Sequence, residues 1–117
     1  MTISEDALRR YDALLATQPG VERRGATMPY TSVNGHMFSF LRPDGTLALR
    51  LSAADRDAFL ERYQTALVEQ HGHTMRDYVA VPDSLFARTD ELAPYFARSL
   101  AHVSSLRPKP TRRPGNP

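Results

Sequence analysis

Leu8, Tyr11, Leu14 and Leu15 recur at helical spacing while Arg9, Arg10 and Asp12 face away, so the first segment predicts an amphipathic helix. Ser4 stands at its N-cap, Glu5 and Asp6 occupy the turn where the helix dipole favours acids, and Pro19-Gly20 ends it. The spacing then shortens to two. Leu47, Leu49 and Leu51 alternate with Ala48 and Arg50, the pattern of a half-buried strand, and an aromatic-rich strand around Phe38 and Phe40 precedes them. Asn34-Gly35 and Asp44-Gly45 tolerate positive φ and mark two hairpin turns, the second preset by Pro43. Upstream, Thr27, Tyr30, Thr31 and Val33 suit a first strand, which Gly25 and Pro29 assign to an edge or a bulge.

Helical spacing returns after Ser52-Ala53-Ala54-Asp55, which is close to a capping box, with Phe59, Tyr63 and Leu67 on one stripe. Ala66 to Glu69 fits either the last turn of that helix or a short strand, and the strand is the preferred reading. A loop from Gln70 to Thr74 follows. Met75 to Val81 is β-prone and is stopped by Pro82-Asp83. Thr89 or Asp90 then caps a last helix carrying Leu92, Tyr95, Phe96, Leu100, Val103 and Leu106 on one face, with Pro94 tolerated near its first turn.

The order α-β-β-β-α-β-β-α describes an α+β domain of two layers, an antiparallel sheet of four to five strands with the helices on one face. Its expected core is Phe38, Phe40 or both, with Leu47, Leu49, Leu51, Val79, Val81, Phe96, Leu100 and Val103. The opposite face of the sheet is expected to remain half exposed.

Gly35-His36-Met37-Phe38, Leu47 to Leu51, Ala54-Asp55-Arg56, Met75 to Pro82 and Ala101 to Lys109 together resemble the N-terminal-domain family of the competence regulator TfoX. The resemblance spans most of the chain. It implies a small bacterial α+β domain, standing alone or fused to a helical C-terminal domain that this chain is too short to hold, and it brings no catalytic residues. The Met-Phe-Gly segment usual in the family is here Thr27-Met28-Pro29-Tyr30.

Length bounds the chain of 117 residues to one domain, assigned to residues 1–106. Charge changes the picture of the remainder. Eleven arginines against thirteen acids leave Met1 to Leu106 slightly acidic, and Arg107, Lys109, Arg112 and Arg113 turn the total to +2. These four cations lie in a proline-rich tail, residues 107–117, without a large apolar residue, so the tail is expected to be disordered. They are the candidate contact for nucleic acid. No aromatic residue interleaves them to stack on bases, so a non-specific, salt-sensitive phosphate contact is the most they offer.

The absence of cysteine excludes disulfides, thiolate nucleophiles and cysteine-held metals. His71-Gly72-His73 could present two imidazoles together, but the loop is not rigid and no third ligand is spaced nearby, so no metal is expected. His36 and His102 read as polar surface positions. None of the serines sits in a nucleophile elbow, and Ser52 is explained as a cap. The six glycines are isolated, without a phosphate-binding loop. Asp55 with Asp57, and Asp90 with Glu91, fall at helix N-termini where the dipole already accounts for acids. No catalytic constellation and no cofactor are therefore expected.

The N-terminus lacks the basic patch and apolar run of a secretory signal, and no apolar stretch approaches the roughly 18 residues of a membrane span, which gives a cytoplasmic expectation. A protein-interaction or regulatory module with an unidentified protein partner is the leading functional expectation, with pairing of two copies through the sheet as one form of it. Weak nucleic-acid binding by the basic tail is the alternative.

Overall fold

Tight turns fix the order of the strands. A computed structural model describes residues 3–25 and 27–108. Asn34 and Gly35 both take positive φ, +55° and +78°, and join β1 (Tyr30–Val33) to β2 (His36–Leu41) through a two-residue turn. At the next reversal Gly45 sits at φ +91°, and the Asp44 carboxylate accepts the Thr46 N–H at 2.9 Å, which closes the turn into β3 (Leu47–Arg50). That hydrogen bond, the largest cause, holds the Asp44 carboxyl below its ordinary pKa with help from nearby Arg42, while burial opposes part of the shift.

The remaining elements follow the expected order with one addition. α1 (Glu5–Leu15) precedes the sheet, and α2 (Ala53–Tyr63) follows β3. β4 (Leu67–Gln70) and β5 (His73–Val81) come next, then a one-turn helix α3 (Asp83–Phe86) and the long α4 (Thr89–Ser104). α3 was not anticipated: Pro82 stops β5, as its missing N–H requires, but also starts this turn. The loop expected from Gln70 to Thr74 is only the two-residue turn His71-Gly72, with β5 already begun at His73.

The sheet is antiparallel throughout, with strand order β1-β2-β3-β5-β4. Alternation holds in β3 and β5. Leu47, Leu49, Val79 and Val81 face a layer built by Tyr11, Leu14, Phe59, Leu85, Phe86, Leu92, Phe96 and Val103, so all four helices cover one face. Fully burying each such side chain contributes about 1.5–3 kcal/mol. Leu100, expected in the core, is half-buried at its margin, as is Leu106 just beyond α4.

Alternation fails in β2. Thr31 pairs with Ser39 and Ser32 with Met37, so Phe38 is an extra residue in its strand, a β-bulge. Phe38 therefore turns to the helix layer, its ring 5.5 Å from that of Phe96, while Phe40 faces the other side, 5.5 Å from Tyr78. Both expected aromatics are buried, but in different clusters.

That other side also differs from expectation. Phe40, Ala48, Val68 and Tyr78 form a second buried cluster without any helix residue. Although β1 and β4 are the two outer strands, Gln70 at the end of β4 donates from Nε2 to the Met28 sulfur at 3.8 Å, just ahead of β1. The twist of the strands thus curls the sheet over its own second face. The centre is closed, with Phe40 and Val68 each 1% exposed, and only a rim of Met28, Tyr30, Met37, Met75 and Ala80 stays partly open.

Candidate functional site

The helix-free face is where the sequence places accessible apolar side chains without a covering element. Its three methionines come from three segments: Met28 before β1, Met37 on β2 and Met75 on β5. Unbranched and polarizable, methionine adapts to many shapes, which suits a contact surface. Beneath them the geometry is fixed. The Tyr78 hydroxyl donates to the Met37 carbonyl at 2.6 Å, bridging from β5 to β2 across β3. Burial raises the Tyr78 phenol above its ordinary pKa, and Arg50 partly opposes this.

Arg50 pairs across strands with Tyr78 and shares this face. Its Nη2 lies 3.6 Å from Asp77 Oδ2, while its Nε is buried without a hydrogen-bond partner. One edge of the sheet is partly closed, because Arg24 and Tyr30 exchange both backbone hydrogen bonds at 2.9 Å outside β1. At the other edge, β4 has no strand beyond it among the described residues. It is only four residues long and carries the exposed Glu69, features that weaken edge-to-edge pairing.

The remaining candidate residues do not converge. Of the tail cations only Arg107 is described. It is exposed, and its carbonyl is 2.9 Å from His36 Nε2, while Lys109, Arg112 and Arg113 lie outside the described residues. Asn34 Nδ2 donates to the Ser104 carbonyl at 3.1 Å, so the β1–β2 turn holds the end of α4. Asp55 and Asp57 are drawn apart: Asp55 Oδ1 accepts from Arg98 at 3.1 Å and Asp57 Oδ1 from Arg56 at 3.1 Å. Ser52 is the N-cap of α2, accepting the Asp55 N–H at 3.3 Å, without the reciprocal bond of a full capping box because the Asp55 carboxylate is on Arg98. Neither Thr89 nor Asp90 caps α4: its N-cap is Arg88, which makes no side-chain bond there. His71, at φ +53°, occupies the turn before β5, and His73 opens that strand. Among the described residues no three His, Cys, Asp or Glu side chains gather as a metal site would need.

One hydroxyl chain was not visible in the sequence. Tyr11 and Ser39 share a hydrogen bond of 2.7 Å, and Ser39 shares another of 2.5 Å with Thr31, all three residues being buried. Burial pushes the Tyr11 phenol up to about 12, with the Ser39 and Thr31 hydroxyls opposing part of the rise. Every member has a partner, so the chain ties α1 to β1 and β2 across the core.

No helix among the described residues is long and apolar enough to cross a membrane. Comparison with protein-family models found none that matches the chain, and comparison with curated proteins found no match either.

Proposed function

We propose that this chain is a small non-enzymatic bacterial domain, resembling the N-terminal domain of TfoX, that acts in the cytoplasm as a protein-interaction or regulatory module through the helix-free face of its sheet. The observation that carries the reading is the ring of partly exposed Met28, Tyr30, Met37 and Met75 around the buried Phe40, Val68 and Tyr78. A rigid floor surrounded by adaptable apolar side chains favours a partner that brings apolar side chains of its own. A second copy of the chain is one such partner.

The test pairs wild type with Met75→Glu, which places a charge on the rim while leaving Phe40 and Tyr78 in place. Sedimentation first asks whether wild type self-associates at high micromolar concentration and whether the variant does not. Capture from the native cytoplasm then asks for a protein retained by wild type and released by the variant, with both showing the same unfolding midpoint. Capture profiles that do not differ, together with a monomer in both cases, refute the reading.

A further inference from the structure

Away from the sheet, the sequence puts two tyrosines and two arginines on facing turns of two helices, Arg62 and Tyr63 at the end of α2, Tyr95 and Arg98 on α4. With Glu91 and Pro94 they line a cleft of about 340 Å³, at the small end of ligand-pocket volumes, which run roughly 300–1,000 Å³. Its floor is aromatic. Phe59 lies 4.8 Å from Tyr63 and 5.1 Å from Tyr95 between ring centroids, and the two tyrosines are 5.8 Å apart and nearly perpendicular.

The charges around this floor are unequally used. Glu91 is engaged at both oxygens: Oε2 accepts from the Tyr63 hydroxyl at 2.9 Å, and Oε1 lies 3.5 Å from Arg88 Nε. Desolvation, the Tyr95 hydroxyl and Glu91 together hold the Tyr63 phenol above its ordinary pKa, so it stays a donor to that carboxylate. Arg98 gives Nη1 to Asp55 and keeps its other donors. Arg62 sits over the Tyr63 ring, 5.3 Å from its centroid, and has no carboxylate within ion-pair distance among the described residues. The cleft therefore joins a satisfied acid to two guanidiniums with spare donors.

We propose that the cleft between α2 and α4 binds a small aromatic organic anion, an aryl or arylalkyl carboxylate, with its carboxylate on Arg62 and Arg98 and its ring on Tyr95 and Pro94. A cationic ligand would meet an acid already neutralised and two like charges. An inorganic anion would leave the aromatic floor unused, and an uncharged hydrocarbon would desolvate the guanidiniums without replacing their hydrogen bonds. This site is separate from the helix-free face, so its failure leaves the interaction reading untouched.

Phenylacetate serves as the probe, with phenylacetamide, benzylamine and inorganic phosphate as comparisons, titrated into the full chain and followed by amide chemical shifts. Phenylacetate is expected to give saturable shifts at Arg62, Tyr63 and Tyr95 to Arg98. Phenylacetamide is expected to bind roughly tenfold more weakly, the loss of about one charge-assisted pair. Arg62→Gln should weaken phenylacetate by a similar factor while leaving the unfolding midpoint in place. Tyr95→Ala should weaken phenylacetate and phenylacetamide alike, and if that variant unfolds, Arg62→Gln still decides. Equal affinity for the acid and its amide, phosphate bound as tightly as phenylacetate, shifts confined to other parts of the molecule, or no saturable shift at about 5 mM probe would each overturn the proposal.

Discussion

Phe38 and Phe40, two residues apart on one strand, lie on opposite faces of the sheet, because the bulge at Phe38 breaks the alternation that would place them together. The bulge lets one short strand feed both hydrophobic clusters. Phe38 meets Phe96 of α4, and Phe40 meets Tyr78 under the helix-free face.

The first prediction is a difference in coupling. Phe38→Ala and Phe40→Ala should each cost about 3–5 kcal/mol, since both side chains are fully enclosed. In double-mutant cycles Phe38 and Phe96 should couple by about 0.5–1.5 kcal/mol, and Phe40 and Phe96 should be additive to within about 0.5 kcal/mol. Denaturant unfolding of the single and double variants measures both. Equal coupling of the two phenylalanines to Phe96 would mean the bulge is misplaced.

The same bulge shows where the sequence was legible. β3 and β5 followed their alternation because both faces are packed in register, and the Asn34-Gly35 and Asp44-Gly45 turns announced themselves through residues that accept positive φ. Elsewhere the usual residue is missing. Gln64 ends α2 in the left-handed conformation at φ +50°, where glycine or asparagine is the common signal, so the boundary between α2 and β4 was ambiguous. Arg88 precedes α4 without a capping side chain, so the local pattern points to Thr89 and Asp90 instead. The closing of the second face depends on Gln70 reaching Met28, a contact between opposite edges that no local pattern encodes. For the α2–α4 cleft, Tyr63 and Tyr95 carried a helical stripe in the sequence, and nothing local showed that their hydroxyl ends would face a common opening.

Gln64 supplies the second prediction. Gln64→Gly relieves a left-handed strain of about 1 kcal/mol or more and loses the exposed bond from Gln64 Nε2 to the Glu61 carbonyl. Because glycine also gains entropy in the unfolded chain, the net effect should be a stabilisation of up to about 1 kcal/mol. The cap N–H to the Leu60 carbonyl is a backbone bond and survives. A lower unfolding midpoint in the variant would show that the Gln64 side chain matters more than its backbone.

Tyr11 gives the third, at alkaline pH. Its phenol ionises near 10 in the unfolded chain and at about 12 in the folded protein. The folded state therefore holds the proton more tightly. Its contribution is complete below pH 10 and is lost as pH rises from about 10 to about 12, with a total on the order of 2–3 kcal/mol. Tyr11→Phe should cost about 1–2 kcal/mol near neutral pH, since Ser39 keeps Thr31 as a partner. It should also flatten the fall in stability over that alkaline window. An unchanged alkaline slope in Tyr11→Phe, measured by denaturant unfolding at stepped pH, would assign the fall to other tyrosines.

The fourth prediction concerns the basic segment after α4. The last described contacts of this end, Asn34 with the Ser104 carbonyl and His36 with the Arg107 carbonyl, lie upstream of Lys109. Deleting everything after Lys109 keeps both, removes no large apolar residue and takes away Arg112 and Arg113. The truncated chain should therefore unfold within about 0.5 kcal/mol of the full one. A large drop in midpoint would show that the deleted residues pack on the domain. The same pair of proteins separates the two functional readings. If the cations contact duplex DNA, truncation weakens binding and flattens its salt dependence, because fewer counterions are displaced. The domain ahead of the tail is slightly acidic, and each described acid–arginine pair already neutralises one of its cations. The expected result is no duplex binding by either protein at about 0.15 M salt. Micromolar binding by the full chain that vanishes on truncation would replace the interaction module with a nucleic-acid-binding regulator.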